Sequence, residues 1–140
     1  MKIAFLIDCS EDQVENVKTS MSEFGYSCIP TNNPEEIDQT GKQIGKVVLC
    51  FTDAKASYRF LKTCSSLEFR MLNLLFLKGK PKMTEDAARK IREVDLNLIV
   101  RYDNQVMSTL IKKFENQKQD TTEEIEFLVS SERGRDDEAA

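Results

Sequence analysis

Four places along the chain set chemically capable side chains beside expected turn residues: Asp8-Cys9-Ser10, Phe51-Thr52-Asp53, Lys78-Gly79 and Arg101-Tyr102-Asp103. Carboxylates such as Asp8 and Asp53 can ligate a hard divalent cation, and Lys78 or Arg101 can offset charge on a phosphoryl group. A cation at Lys78 or Arg101 could also hold Asp8 in a fixed salt bridge. Lys78, Lys80 and Lys82 could together bind a small anion or a nucleotide phosphate near a helix start, but no glycine-rich cradle accompanies them. Cys9 stands just before a helix, where backbone N–H groups lower a thiol pKa; Asp8, Glu11 and Asp12 oppose the thiolate. The bland alternatives are solvated loop charges, worth about 0–1 kcal/mol per exposed pair, and an inert packed thiol.

Absent residue types narrow the chemistry further. The chain has no histidine, which removes Ser-His-Asp and Cys-His nucleophiles, imidazole-based zinc sites and a phosphohistidine relay. Cys9, Cys28, Cys50 and Cys64 form no CxxC pair and read as reduced thiols of a cytoplasmic protein. No metal site, cofactor or catalytic group is expected. The net charge is −4, and from Thr121 onward seven acids face only Arg133 and Arg135, so the body before it is close to neutral. Without a basic stripe, nucleic acid is not an expected partner. No apolar run approaches the ~20 residues that cross a bilayer, and the opening run Ile3–Ile7 leads into Asp8 rather than a cleavage site.

The positions above are set by an alternation of strand and helix signals. Residues 2–7, 26–30, 47–51, 71–77 and 96–100 are short apolar runs, and the lack of polar alternation in the first and third predicts strands covered on both faces. Pro30 places the second run at a sheet edge or strand end. Ser10 with Gln13 reads as a capping box ahead of Val14, Val17, Met21 and Phe24, and Gly25 ends that helix. Asn33-Pro34-Glu35-Glu36 supplies a cap, a first-turn proline and a capping-box glutamate for the second helix.

Asp53 caps a third helix with Ala56, Phe60, Leu61 and Cys64 inward, and Thr84 a fourth with Ala87, Ala88, Ile91 and Val94 inward. Asp103 or Asn104 caps a fifth, whose expected stripe is Val106, Leu110, Ile111 and Phe114. Five strands alternating with five helices predict an α/β three-layer sandwich with a parallel sheet in the flavodoxin-like order 2-1-3-4-5. One domain is expected over residues 1–118, followed by an acidic tail at 119–140. Within that tail Thr121-Thr122-Glu123-Glu124 opens a short helix at 122–130. In such a fold, ligands meet the carboxyl ends of the strands, where the four places named first converge.

Across about 115 residues the chain resembles a response-regulator receiver domain of the CheY-like family. The resemblance rests on the order and lengths of the elements, on an acid ending the first strand, and on Ser57-Tyr58-Arg59-Phe60-Leu61-Lys62, similar to the Gly-Tyr-Glu-Phe-Leu-Lys type opening of that family's third helix. It implies a Mg²⁺ site of two adjacent acids, an acceptor Asp ending the third strand, a Thr or Ser after the fourth and a Lys-Pro pair after the fifth. Here Asp8 is followed by Cys9, Phe51 stands at the acceptor position, Lys78 at the Thr/Ser position, and Val100-Arg101-Tyr102 replaces Lys-Pro.

The expectation is therefore a pseudo-receiver: not an enzyme, but a phosphorylation-independent module for protein–protein interaction in signal transduction. Two alternatives stand beside it. One is an atypical receiver accepting phosphate on Asp53, which requires a shortened connection after the third strand. The other is a small flavodoxin-like nucleotide-binding protein or enzyme. The family commonly dimerises or docks partners through its fourth helix, fifth strand and fifth helix, which here draws on Arg89, Arg92, Tyr102, Gln105, Met107 and Lys112. The tail is a second expected partner surface. The family's aromatic after the fifth strand often rotates on activation; the plainer reading of Tyr102 is a packed ring with its hydroxyl in water.

Overall fold

A computed structural model describes residues 1–64 and 69–117. The expected tail and its helix at 122–130 lie outside the described residues. The elements run β1 (Ile3–Ile7), α1 (Glu11–Ser22), β2 (Ser27–Thr31), α2 (Pro34–Ile44), β3 (Lys46–Phe51), α3 (Ala54–Thr63), β4 (Arg70–Leu77), α4 (Glu85–Glu93), β5 (Leu96–Val100) and α5 (Asn104–Asn116). All strand pairs are parallel, and the order is β2-β1-β3-β4-β5, the flavodoxin-like α/β arrangement. No helix among the described residues is long and apolar enough to cross a membrane.

Sheet position explains the strand compositions. Every residue of β1 is buried, as is β3 after Lys46, because both strands have a neighbour on each side and helices on both faces. β2 is an edge strand with exposed residues, and Pro30 sits there opposite Leu6 without removing a ladder bond from the sheet centre. On one face Ala4, Leu6, Val48, Cys50, Leu74 and Phe76 pack under α1 and α5. On the other, Phe5, Ile7, Leu49, Phe51 and Leu75 meet Ile37 of α2 and Leu61 of α3, with Ile91 of α4 and Val94 just after it partly buried against them. Each such layer removes from water apolar surface worth roughly 25 cal/mol per Å².

Helix ends follow the predicted caps in four cases. Asn33 Oδ1 accepts from Glu35 N at 3.0 Å, Asp53 Oδ2 from Ala56 N at 2.8 Å and Thr84 Oγ1 from Ala87 N at 3.1 Å. Asp103 Oδ1 accepts from Gln105 N and Val106 N at 2.9 and 3.2 Å, which selects it over Asn104. Two details differ from the sequence reading. Ser10 makes no side-chain cap bond, and Gln13 instead accepts from the Tyr102 hydroxyl at 3.0 Å. Glu36 does not complete a capping box, because Asn33 N already donates to Thr31 Oγ1 at 3.1 Å.

Helix phase brings two further corrections. Val106 is exposed and Met107 is fully buried, so the α5 stripe is Met107, Ile111 and Phe114 with Leu110 at its margin. With the cap at Asp103, position 106 falls one step of about 100° off the core-facing line. α4 has no fully buried side chain, and Ala87, Ala88, Ile91 and Val94 are only half-buried. The Lys62–Glu93 pair at 2.6 Å ties it to α3 at the surface.

The amino edge of the sheet is cross-braced. Glu115, near the end of α5, accepts from the buried Tyr26 hydroxyl at 3.0 Å and pairs with Lys2 at 3.0 Å, while its carbonyl accepts from Lys46 Nζ at 3.0 Å. Lys46 and Arg70 stand over the Phe114 ring at 5.7 and 5.8 Å. Burial, then the Glu115 carboxylate, pushes the Tyr26 phenol up. Nearby, Gly41 lets α2 approach Phe69 so closely that a Cβ at this position would overlap the ring.

Candidate functional site

The four places singled out by residue type all lie at the carboxyl edge. β1 and β3 pair Leu6 with Cys50; two residues beyond each stand Asp8 and Thr52. Asp8 is exposed at a positive φ of 50°, its N–H directed to Thr31 O at 3.4 Å. Arg101 and Tyr102 also take positive φ values, 54° and 52°, as the chain turns from β5 into α5. A left-handed non-glycine residue costs roughly 1–2 kcal/mol, so three of them at one edge mark its turns as strained.

Cys9 is half-buried, and its Sγ donates to Cys50 O at 3.7 Å. Burial pushes the Cys9 thiol up; a hydrogen bond with Thr52 opposes the shift, and the Asp8 charge adds to it. Burial also raises Cys28 and, most strongly, Cys50. These thiols are held protonated, the state of packing groups rather than of nucleophiles.

Phe51 does not face the cleft. It is buried in the core between the sheet and α2 and α3, and meets Phe60 edge to face, with ring centroids 6.0 Å apart. Only Thr52 and Asp53 connect β3 to α3, and the carboxylate of Asp53 is engaged as the α3 cap. Lys78 and Lys80 are exposed after β4, and Arg101 is exposed with its N–H bonded to Leu77 O at 2.9 Å. A cavity of about 490 Å³ is bounded by Lys80, Val100, Arg101 and Asp103. The expected salt bridge does not form: among the described residues no ion pair joins Asp8 or Asp53 to Lys78 or Arg101. The side chains extend into solvent from separate turns. Nor do three or more Cys, Asp or Glu side chains converge into a metal-ligating group among the described residues.

Tyr102 points inward. Its ring stacks on Phe76 with centroids 5.3 Å apart, and its hydroxyl reaches Gln13 on α1. Its phenol is raised, chiefly by burial. The hydroxyl is thus bonded within the protein rather than left in water. Of the expected partner face, Arg89, Arg92, Gln105 and Lys112 are exposed, while Met107 is not available because its side chain fills the core under α5. Arg89 is additionally paired with Asp86 on its own helix.

Sequence reasoning located the carboxyl-edge residues but missed how they are used. Thr52 beside Cys9 and Gln13 under Tyr102 had no separate signal, because each meets a partner from a different element. The braces around Glu115 were missed for the same reason, its partner Tyr26 being 89 positions away. No family model matches the chain, and no curated protein matches it.

Proposed function

We propose that this chain is a pseudo-receiver, a phosphorylation-independent protein-binding module in signalling. The single observation that carries the reading is the end of β3, where an active receiver holds its acceptor carboxylate. Phe51 is turned into the core there, and the next acid, Asp53, binds the start of α3. On the other side of the cleft Asp8 has Cys9 as its neighbour, a poor ligand for Mg²⁺. The exposed side chains Arg89, Arg92, Gln105 and Lys112 form the partner surface. Four free thiols suit a cytoplasmic setting.

One observation favours a second reading, in which Asp53 accepts phosphate. The β3–α3 connection is as short as that role requires. Intact-mass measurement after incubation with acetyl phosphate and Mg²⁺ separates the two. The pseudo-receiver gains no phosphoryl increment; an increment that needs Mg²⁺ and disappears in Asp53→Ala establishes the second reading instead.

A further inference from the structure

A second cavity lies away from the carboxyl edge. A groove of about 630 Å³ wraps the amino-terminal end of the β5 edge, between the last turns of α4 and α5. Its apolar floor includes Met71, Ile91, Leu96 and Leu110, and two exposed cations, Arg92 and Lys113, stand on its walls. Gln117, the last residue described before the acidic segment, lines the same groove. It has left the helix in an extended conformation (φ −75°, ψ 140°).

The sequence that follows is complementary to this surface. Residues 121–129 combine Ile125, Phe127, Leu128 and Val129 with Glu123, Glu124 and Glu126. Ile125 lies eight positions after Gln117, a span that reaches at most about 27 Å at about 3.4 Å per residue. We propose that residues 121–129 of this chain dock in the groove, seating their apolar side chains on its floor with their carboxylates against Arg92 and Lys113.

Topology decides how the segment lies. α5 is on the α1 face of the sheet, opposite α4. A sixth strand added parallel to β5 through α5 would require a left-handed crossover, which is almost never formed. An antiparallel strand would first have to travel the length of the sheet. The segment therefore binds through side-chain anchors, as an apolar-faced peptide in a groove. Arg92 belongs both to this groove and to the proposed partner face, so an occupied groove covers part of that face. The docking itself does not depend on the pseudo-receiver reading.

Amide hydrogen exchange on the full chain tests the proposal. Leu96–Val100 and the last turn of α5 should exchange about tenfold faster in Phe127→Asp/Leu128→Asp than in the unaltered protein, the change expected when a docked segment is released. Arg92→Glu/Lys113→Glu should give the same acceleration, and a synthetic peptide of residues 119–131 added to the Phe127→Asp/Leu128→Asp protein should restore protection. The protection should not vary with protein concentration. Equal exchange in the unaltered and variant chains overturns the proposal, and so does protection that rises with concentration, which would assign the groove to a second copy.

Discussion

The two edges of this sheet carry similar side chains and put them to opposite use. At the amino edge Lys2, Tyr26 and Lys46 converge on Glu115, and cations lie over Phe114. At the carboxyl edge Asp8, Lys78 and Arg101 extend from three separate turns with no ion pair among them, two of those turns in left-handed backbone. The amino edge fastens α5 to the sheet. The carboxyl edge leaves polar groups facing water at the place where α/β folds present a surface to ligands and partners. Substitutions should therefore be felt as lost stability at the first edge and should be nearly silent for stability at the open charges of the second.

The largest loss of stability is expected at the amino edge. Gly41→Ala places a methyl group against the Phe69 ring and should lower unfolding free energy by about 3 kcal/mol, at the upper end of overpacking costs, read from urea denaturation. An unchanged midpoint would mean that Phe69 moves aside freely.

Alkali should act on the same edge. Burial, with Asp38 adding to it, pushes the Cys64 thiol from its ordinary value near 9 to about 11, and the Tyr26 phenol is raised as well. For a group raised in the folded state, the protonated form is the one that folding favours. The Cys64 contribution is complete below pH 9 and disappears as pH rises towards 11. Urea midpoints should fall across that window, and the fall should be shallower in Cys64→Ala after allowance for its lower starting stability. A flat profile would contradict the burial argument.

Asp53 sharpens the comparison from the other side. As a helix cap, Asp53→Ala should cost about 1 kcal/mol, whereas Asp53→Asn keeps the capping oxygen and should cost only a few tenths. Equal losses would show that the carboxylate charge matters beyond the cap. The smallest effects belong to the open charges. Lys78→Ala should change stability by less than about 0.5 kcal/mol. Arg101→Gly should be neutral or stabilising by up to about 1 kcal/mol, since glycine relieves the positive φ while adding freedom to the unfolded chain. A loss above about 1 kcal/mol in either would place them in a network like that at the amino edge.

Much of this architecture was legible from local signals. Apolar runs of strand length, Pro30 at the margin, and capping residues at Asn33, Asp53, Thr84 and Asp103 place the elements in order without any long-range information. Reading failed where a side chain chose between local and distant partners. Local spacing places Gln13 at its own helix start, whereas it meets Tyr102; the same spacing starts the α5 stripe one residue early and so puts Met107 at the surface. The candidate site was legible as positions but not as contacts. Asp8, Lys78 and Arg101 reach one edge, yet only the folded geometry reveals that, among the described residues, no ion pair joins them.

In the pseudo-receiver proposed above, the carboxyl edge assembles no acceptor site around Mg²⁺. The most direct test is a titration of the full chain with Mg²⁺ and beryllofluoride, followed by amide NMR at Asp8, Thr52, Asp53 and Arg101. The account predicts no saturable shifts at these residues. Saturable, Mg²⁺-dependent shifts that vanish in Asp53→Ala would contradict it.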